Sequence, residues 1–174
     1  MTRPTAVLAL ALLLAGATPL AAQLPDRIER QAARSGYVNL SGPRLGALWL
    51  GGDQDKIRSR YDVDRVISQL GIALEQRFFA VPEGPTGVVQ LVALAGAADQ
   101  GEFIPSGMLL FGLRSQGGLE IAMGPWFAER DAAAVVQVGA VVRAGYMRIP
   151  LTVQVMPSSD GTRVGFLTGF NAFR

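Results

Sequence analysis

From about residue 44 to the C-terminus, hydrophobic and polar residues alternate in short runs separated by Gly, Pro, Asp and Ser. Such runs predict β-strands joined by turns, because neighbouring side chains of a strand point to opposite faces. The runs that we predict to be strands are residues 44–51, 66–80, 87–97, 105–115, 118–128, 133–144, 147–156 and 162–173. The chain is therefore expected to be all-β, with about eight strands.

Most of these runs have one aliphatic or aromatic face, while the other face carries Gly, Ala and isolated charges. The run 147–156 is the clearest, with Leu151, Val153 and Val155 facing one way and Thr152, Gln154 and Met156 the other. A soluble sandwich needs a strongly polar outer face. A narrow barrel instead accommodates small side chains and a few paired charges inside. The pattern thus predicts an antiparallel up-and-down β-barrel with its apolar face outward, although runs 44–51 and 87–97 leave their orientation open and Gln76 does not fit its apolar face.

In such a barrel, the isolated charges on the small-residue face point into the lumen and pair there. These residues are Glu75, Arg77, Arg114, Glu120, Arg143 and Arg163. They suit either a polar pore or gate, or a structural salt-bridge network. We favour the network, because small barrels are usually packed with side chains.

Aromatic residues gather near both ends of the predicted strands, as in the interfacial girdles of membrane proteins. At the end that carries the long charged connection 52–65 they are Trp49, Phe103, Trp126 and Phe127, and at the other end they are Phe79, Tyr146, Phe170 and Phe173. We expect the long connection on the outer side of a membrane, where barrels of this kind have their longer loops.

The N-terminus has the three zones of a secretory signal peptide. Arg3 precedes the apolar run 6–17, and Pro19 and a small-residue stretch follow, with cleavage expected after Ala22 or Gln23. An N-terminal membrane anchor is the alternative, but the run is shorter than the roughly 20 residues that cross a bilayer. We predict a signal peptide at 1–23, a polar linker or short periplasmic helix at 24–43, and the barrel domain at 44–174.

The amino-acid composition excludes several kinds of catalytic and binding site. The 174 residues include no Cys and no His, with a formal net charge of +2. Disulfides, thiolate or imidazole zinc sites and Cys–His or Ser–His catalysis are therefore excluded. No basic tract suits nucleic acid. The acidic stretch around 53–64 lacks the spacing of a calcium-binding loop, and Ser158-Ser159-Asp160 lacks a nucleophile elbow. We expect no catalytic residue, cofactor or metal, and hence no enzyme.

The leader, the strand count, the alternation and the final run RVGFLTGFNAF resemble the small eight-stranded outer-membrane β-barrel proteins. The likeness covers roughly residues 44–173. In that class an aromatic residue at the end of the last strand is recognised by the assembly machinery, and here Phe173 precedes Arg174. The resemblance implies outer-membrane lipid and the barrel-assembly machinery as partners.

Two hypotheses of function follow. The first is an integral outer-membrane β-barrel with a structural, adhesive or narrow-channel role and no catalysis. The alternative is a soluble periplasmic β-barrel or sandwich that binds a lipid or another apolar ligand, in which case the apolar faces line a cavity. The sequence indicates neither a specific ligand nor an oligomeric state.

Overall fold

The computed structural model describes residues 39–52, 62–129, 131–158 and 161–172. Its strands are β1 Gly42–Leu50, β2 Val66–Ala80, β3 Thr86–Gly96, β4 Ile104–Arg114, β5 Leu119–Ala128, β6 Asp131–Ala144, β7 Met147–Met156, β8 Arg163–Gly169 and the two-residue β9 Asn171–Ala172. A single 3₁₀ turn, Ala98–Gln100, lies between β3 and β4. The predicted signal peptide and linker residues 24–38 lie outside the described residues. In the described part, no helix combines the length and the hydropathy that a membrane crossing needs.

The strands close into an antiparallel barrel. Each of β1 to β8 pairs with its neighbours in the chain, and β1 also pairs with β8, for example at Arg44↔Gly169 and Trp49↔Val164. The short β9 continues the last strand and pairs with β7 at Arg148↔Asn171. The predicted all-β, up-and-down barrel of eight strands is therefore confirmed. The first seven strands have boundaries within about two residues of those predicted, and the last predicted run, 162–173, is divided at Phe170 into β8 and β9.

The large apolar side chains cover the outside of the barrel. Exposed members include Leu70, Ile72, Leu109, Phe111, Leu113, Leu119, Ile121, Met123, Val136, Val138, Leu151, Val153, Val155, Val164 and Phe166. The structure also settles the two runs whose orientation was open. In β1, Leu45 and Trp49 point outward and Leu48 and Leu50 inward. In β3, Gln90, Val92 and Leu94 point inward, and Val89 and Leu91 lie half-buried on the outer face. Gln76, which did not fit its apolar face, is exposed.

A bulge in β2 changes its alternation near one end of the barrel. The register with β3 shifts between Arg77 and Phe79, so that Phe78 has no direct partner. An extra residue of this kind re-aims the side chains that follow it. As a result Phe78 and Phe79 are both exposed, with their ring centroids 4.9 Å apart in an edge-to-face contact.

The interior has an apolar half and a polar half. We call the end with the β1–β2 connection the loop end, and the end with Asn39 and Ala172 the terminal end. Near the loop end the interior is filled by Leu48, Leu50, Val63, Ile67, Leu94, Ala97, Met108, Trp126, Val135 and Met156. The buried polar side chains lie largely toward the terminal end, which positions the site described below.

Interior-facing glycines mark where neighbouring strands come closest. A Cβ atom at Gly71 would lie 1.9 Å from the carbonyl oxygen of Ala93 and 2.8 Å from the Cα of Leu94. Both are backbone atoms, so any side chain there requires the β2–β3 ladder to shift. Glycine at such points lets a small barrel bend its strands tightly.

We therefore expect Gly71→Ala to lower the free energy of unfolding by about 1–3 kcal/mol or more, as overpacking does in well-packed cores. The matched control is Gly107→Ala on β4, where the nearest atom to an added Cβ is the Val92 oxygen at 3.5 Å. The control should change stability by less than about 0.5 kcal/mol. Urea unfolding of the two variants in detergent micelles measures the difference, and equal values would refute the close-approach argument.

Candidate functional site

The centre of the polar half is a guanidinium group held between two carboxylates. Arg114 on β4 donates from Nε to Glu120 Oε2 at 2.8 Å and from Nη1 to Glu75 Oε1 at 2.8 Å, while its Nη2 contacts both carboxylates. The three side chains are between 1% and 8% exposed. Buried charges are tolerated only when they are paired and hydrogen-bonded, and this geometry meets both conditions.

Three glutamines extend the ion cluster around the wall. Gln90 Nε2 donates to Glu75 Oε2 at 3.0 Å and to Glu120 Oε1 at 2.8 Å. Gln137 Nε2 donates to Glu120 Oε1 at 3.1 Å, and Gln154 Nε2 donates to Gln137 Oε1 at 2.8 Å. The interior network is the set Glu75, Gln90, Arg114, Glu120, Gln137 and Gln154. It links β2 to β7, so six consecutive strands share one hydrogen-bonded system.

The segment 39–41, which we call the strap, joins this network at the terminal end. The Leu40 amide donates to Glu75 Oε1 at 3.1 Å, and Asn39 Nδ2 donates to the Glu75 carbonyl at 2.9 Å. The Glu75 amide in turn donates to Ser41 Oγ at 2.7 Å. Leu40 is buried. The residues just before β1 therefore close the terminal end with an apolar side chain and satisfy part of the central carboxylate.

The first and last strands also hold the strap. Arg44 on β1 is buried, donates to the carbonyl of Pro43 at 3.0 Å and contacts the carbonyl of Leu40. Asn171 Nδ2 on β9 donates to the carbonyl of Asn39 at 2.6 Å. Both ends of the described chain thus meet at the same mouth of the barrel.

A second ion pair lies in the apolar half. Arg163 on β8 pairs through Nη2 with Asp131 on β6, and its guanidinium carbon lies 5.0 Å from the centre of the Trp126 ring. This arrangement combines a charge pair with a cation–π contact. Arg163 Nη1 and Gln69 Oε1 are buried atoms that lack a hydrogen-bond partner.

Little open space remains beside the network. A cavity of about 20 Å³ is lined by Leu40, Arg44, Gln90, Glu120, Gln137 and Thr152, among others. About 10–15 Å³ is enough for one water molecule. The cavity therefore suits a water or two that complete the polar network, and it is far smaller than the 300–1,000 Å³ of ligand pockets.

Within the described ranges, no three His, Cys, Asp or Glu side chains cluster as metal ligands would. Glu75 and Glu120 are hydrogen-bonded to Arg114 and Gln90, whose side chains come from neighbouring strands. The arrangement connects these strands through one hydrogen-bonded system inside the barrel.

Five of the six charged residues assigned to the lumen lie inside the barrel: Glu75, Arg77, Arg114, Glu120 and Arg163. The structure brings Glu75, Arg114 and Glu120 into one cluster, whereas Arg163 lies apart and pairs with Asp131. The prediction for Arg143 is wrong, because this residue is exposed. Alternation gives Arg143 the inward face of β6, but it lies one residue from the end of the strand, where the interior opens to the outside.

Most of the predicted girdle aromatics are exposed, namely Trp49, Phe79, Phe103, Phe127, Tyr146 and Phe170. Trp126 is a correction, because it is 4% exposed and packs inside the barrel against Arg163. It shares the inward face of β5 with Glu120 and Ala122, so alternation outweighs its position near the end of the strand. Phe173 lies outside the described residues.

Several interior residues were not identified from the sequence. Arg44 and Gln90 lie on the two runs whose faces the alternation leaves open, and Asp131 lies between the predicted strands 118–128 and 133–144. Gln137 and Gln154 lie on inward faces. Each is a long polar residue with an apolar or small residue two positions further on, Gly139 and Met156 respectively.

No family model, curated protein or solved structure matches the chain. Function is therefore inferred from the fold and from the chemistry of its two surfaces, the filled interior and the apolar exterior.

We expect Glu120→Gln to destabilise the barrel by about 3–5 kcal/mol, because it removes one carboxylate of a buried ion cluster while keeping the shape of the side chain. The matched control is Glu102→Gln, a change of the same atoms at an exposed position in the β3–β4 connection. The control should shift stability by less than about 0.5 kcal/mol. Urea unfolding in micelles compares the two, and a Glu120→Gln variant as stable as the control would show that the network contributes little.

Proposed function

We propose that the chain is an integral outer-membrane β-barrel with a structural role, anchored by its apolar exterior and closed to solutes by its interior. The observation that carries this proposal is the outward direction of the aliphatic rows. In a water-soluble barrel, exposed apolar patches rarely exceed a few hundred Å². Here exposed Leu, Ile, Val, Met and Phe side chains occur on seven of the eight long strands, and on β3 the outer-face residues Val89 and Leu91 are half-buried.

The height of the apolar surface supports a membrane location. Strands such as β4 and β7 have 11 and 10 residues. At about 3.3 Å per residue and a tilt of about 40°, ten residues span about 25 Å along the barrel axis. This equals the apolar band of outer-membrane barrels. Exposed aromatics lie near both edges of the surface, Trp49, Phe103 and Phe127 at the loop end and Phe79, Tyr146 and Phe170 at the terminal end.

The interior favours a structural role over a channel. Arg114, its two carboxylate partners and the glutamines occupy the cross-section of the polar half, and the strap adds Leu40 at the mouth. The cavity beside them has room for water only. The same packing argues against the alternative of a soluble barrel with an apolar ligand inside, because the cavity beside the network, among the described residues, is too small for such a ligand.

The first experiment expresses the whole chain with its leader in a Gram-negative host and separates outer membranes from the periplasmic extract. We expect the protein in the outer-membrane fraction, with a heat-dependent shift on SDS gels, because a closed barrel in detergent resists unfolding until it is boiled. Protein from that fraction should leave the conductance of a planar bilayer at its protein-free level. Recovery in the periplasmic extract without a shift would overturn the membrane proposal, and a steady conductance would overturn the closed interior.

A substitution series tests the lipid-facing surface directly. Val138→Arg, in the middle of the outer face of β6, should cost about 2–4 kcal/mol in phospholipid vesicles, because a cation there lies near the bilayer midplane. Ala132→Arg, on the same face at the start of β6, should cost about 0–1 kcal/mol. Both positions are exposed, so a water-soluble barrel would tolerate the two changes equally. Unfolding in vesicles by urea, followed by Trp fluorescence, measures the difference.

A further inference from the structure

The strap closes the terminal end with one buried side chain that belongs to no strand. Its residues lie just before β1, with Asn39 exposed, Ser41 half-buried and Leu40 only 3% exposed. The Leu40 side chain lines the cavity beside the interior network. Because the strap is at the terminal mouth, Leu40 lies between that mouth and the cavity.

The wall that shares this cavity with Leu40 is built partly of short side chains. β6 contributes Gly139 and Ala140, and β7 contributes Pro150 and Thr152. Short side chains do not reach across the interior of an eight-stranded barrel, which is wide enough to need filling. Leu40 therefore occupies space that this part of the wall leaves open.

The strap is attached by side chains rather than by a ladder of backbone hydrogen bonds. The described strand pairings include none of its residues. The Leu40 amide donates to Glu75 Oε1 at 3.1 Å, and the Leu40 carbonyl accepts from Arg44. The Asn39 carbonyl accepts from Asn171 Nδ2 at 2.6 Å. Segments outside a ladder open locally while the neighbouring strands stay folded, so the strap can leave the mouth without unfolding the barrel.

The surface behind Leu40 is polar. Arg44, Gln90, Glu120 and Gln137 line the same cavity. The guanidinium group supplies donors, the carboxylate supplies acceptors and the two amides supply both. Once the strap has moved, such a lining suits a small polar molecule rather than an apolar one.

We propose that the strap is a displaceable plug, and that the space it closes is a pocket for small polar molecules that enter from the terminal end. The apolar half, with Met108, Trp126 and Met156, stays packed when the strap moves. The open state is therefore a pocket with a closed floor rather than a pore. The inference goes beyond the proposed function, because it concerns the interior and holds whether the exterior faces lipid or water.

A single engineered thiol tests the plug, since the chain has no cysteine. Val92 is 3% exposed and lines the cavity, so V92C reports access to it. The full chain in detergent is treated with 2-aminoethyl methanethiosulfonate, a small polar reagent, and mass spectrometry follows the modification. V92C/L40A should react about 10- to 100-fold faster than V92C, because burial of the Leu side chain favours the closed state by about that factor over Ala. V92C/N171A keeps Leu40 but loses a hydrogen bond to the strap, and should react about 2- to 10-fold faster.

The matched control is V92C/V63A, which shortens a buried apolar side chain in the half of the interior near the loop end. We expect its reaction rate to equal that of V92C. Equal acceleration in V92C/V63A would refute the plug, because it would show a general loosening of the barrel. Acceleration in V92C/L40A without any in V92C/N171A would show that Leu40 is a fixed filling, which overturns the displacement of the strap. An unchanged rate in both variants would overturn the whole proposal.

Hydrogen exchange of the unmodified protein tests displacement without any substitution. The Leu40 amide should exchange at least about 100-fold faster than the amides of the β2–β3 ladder, because it is released by local opening. Equal rates would show that the strap leaves only when the barrel unfolds, and would overturn the proposal even if a variant failed to fold. The L40A protein should also leave the conductance of a planar bilayer at its protein-free level, and a steady conductance in that variant alone would refute the closed floor of the pocket.

Discussion

The pairing of Arg114 with Glu75 and Glu120 is the interaction around which the barrel is organised. Eight strands enclose a space just wide enough for side chains, so something must fill it. With the large apolar residues on the outside, much of the filling is polar, and buried polar groups are stable only when they bind one another. The guanidinium group of Arg114 connects β4 to Glu75 on β2 and Glu120 on β5, and the glutamines extend these hydrogen bonds to β7. A shift of any one of these strands by a residue would turn its polar member outward and leave its partners unsatisfied.

The rest of the interior, outside this network, is largely apolar. Near the loop end the wall is lined by Leu, Val, Ile and Met side chains, which pack closely without hydrogen-bond requirements. Arg163, Gln69 and Ser106 are polar exceptions there. The pairing of Arg163 with Asp131 and its contact with Trp126 compensate its charge within that apolar half. The outer face needs neither arrangement, because the proposed bilayer supplies an apolar surrounding. The two faces of each strand thus lie in different environments, and a sequence pattern with a period of two residues suffices to encode both.

That pattern is the reason the fold was predictable. Alternation alone identified all eight strands and the inward face of most of them. It was insufficient where a strand is apolar on both faces, which hid Arg44 and Gln90, and where a bulge at Phe78 reversed the phase for Phe79. Alternation also predicts which face a side chain is on, but not its position along the barrel axis. That position determines that Arg163 is buried while Arg143 is exposed. It depends on the register between strands that are distant in sequence. For Trp126 the alternation was the better guide, and proximity to the strand end the weaker one.

The strap and the β1–β8 seam have a consequence for how the barrel is made. Apart from the short β7–β9 pairing, every other ladder joins strands that are adjacent in the chain. The hydrogen bond between Asn39 and Asn171, by contrast, joins residues 132 positions apart. Local hairpins form fast and at small entropic cost, and long-range closure is slow. Until the last strand arrives, β1 and β7 present open edges, and edges of that kind pair with other chains. The pairing of β1 with β8 is therefore the step at which a growing sheet either closes into a barrel or aggregates. The residues that stabilise this pairing come from the two ends of the barrel sequence.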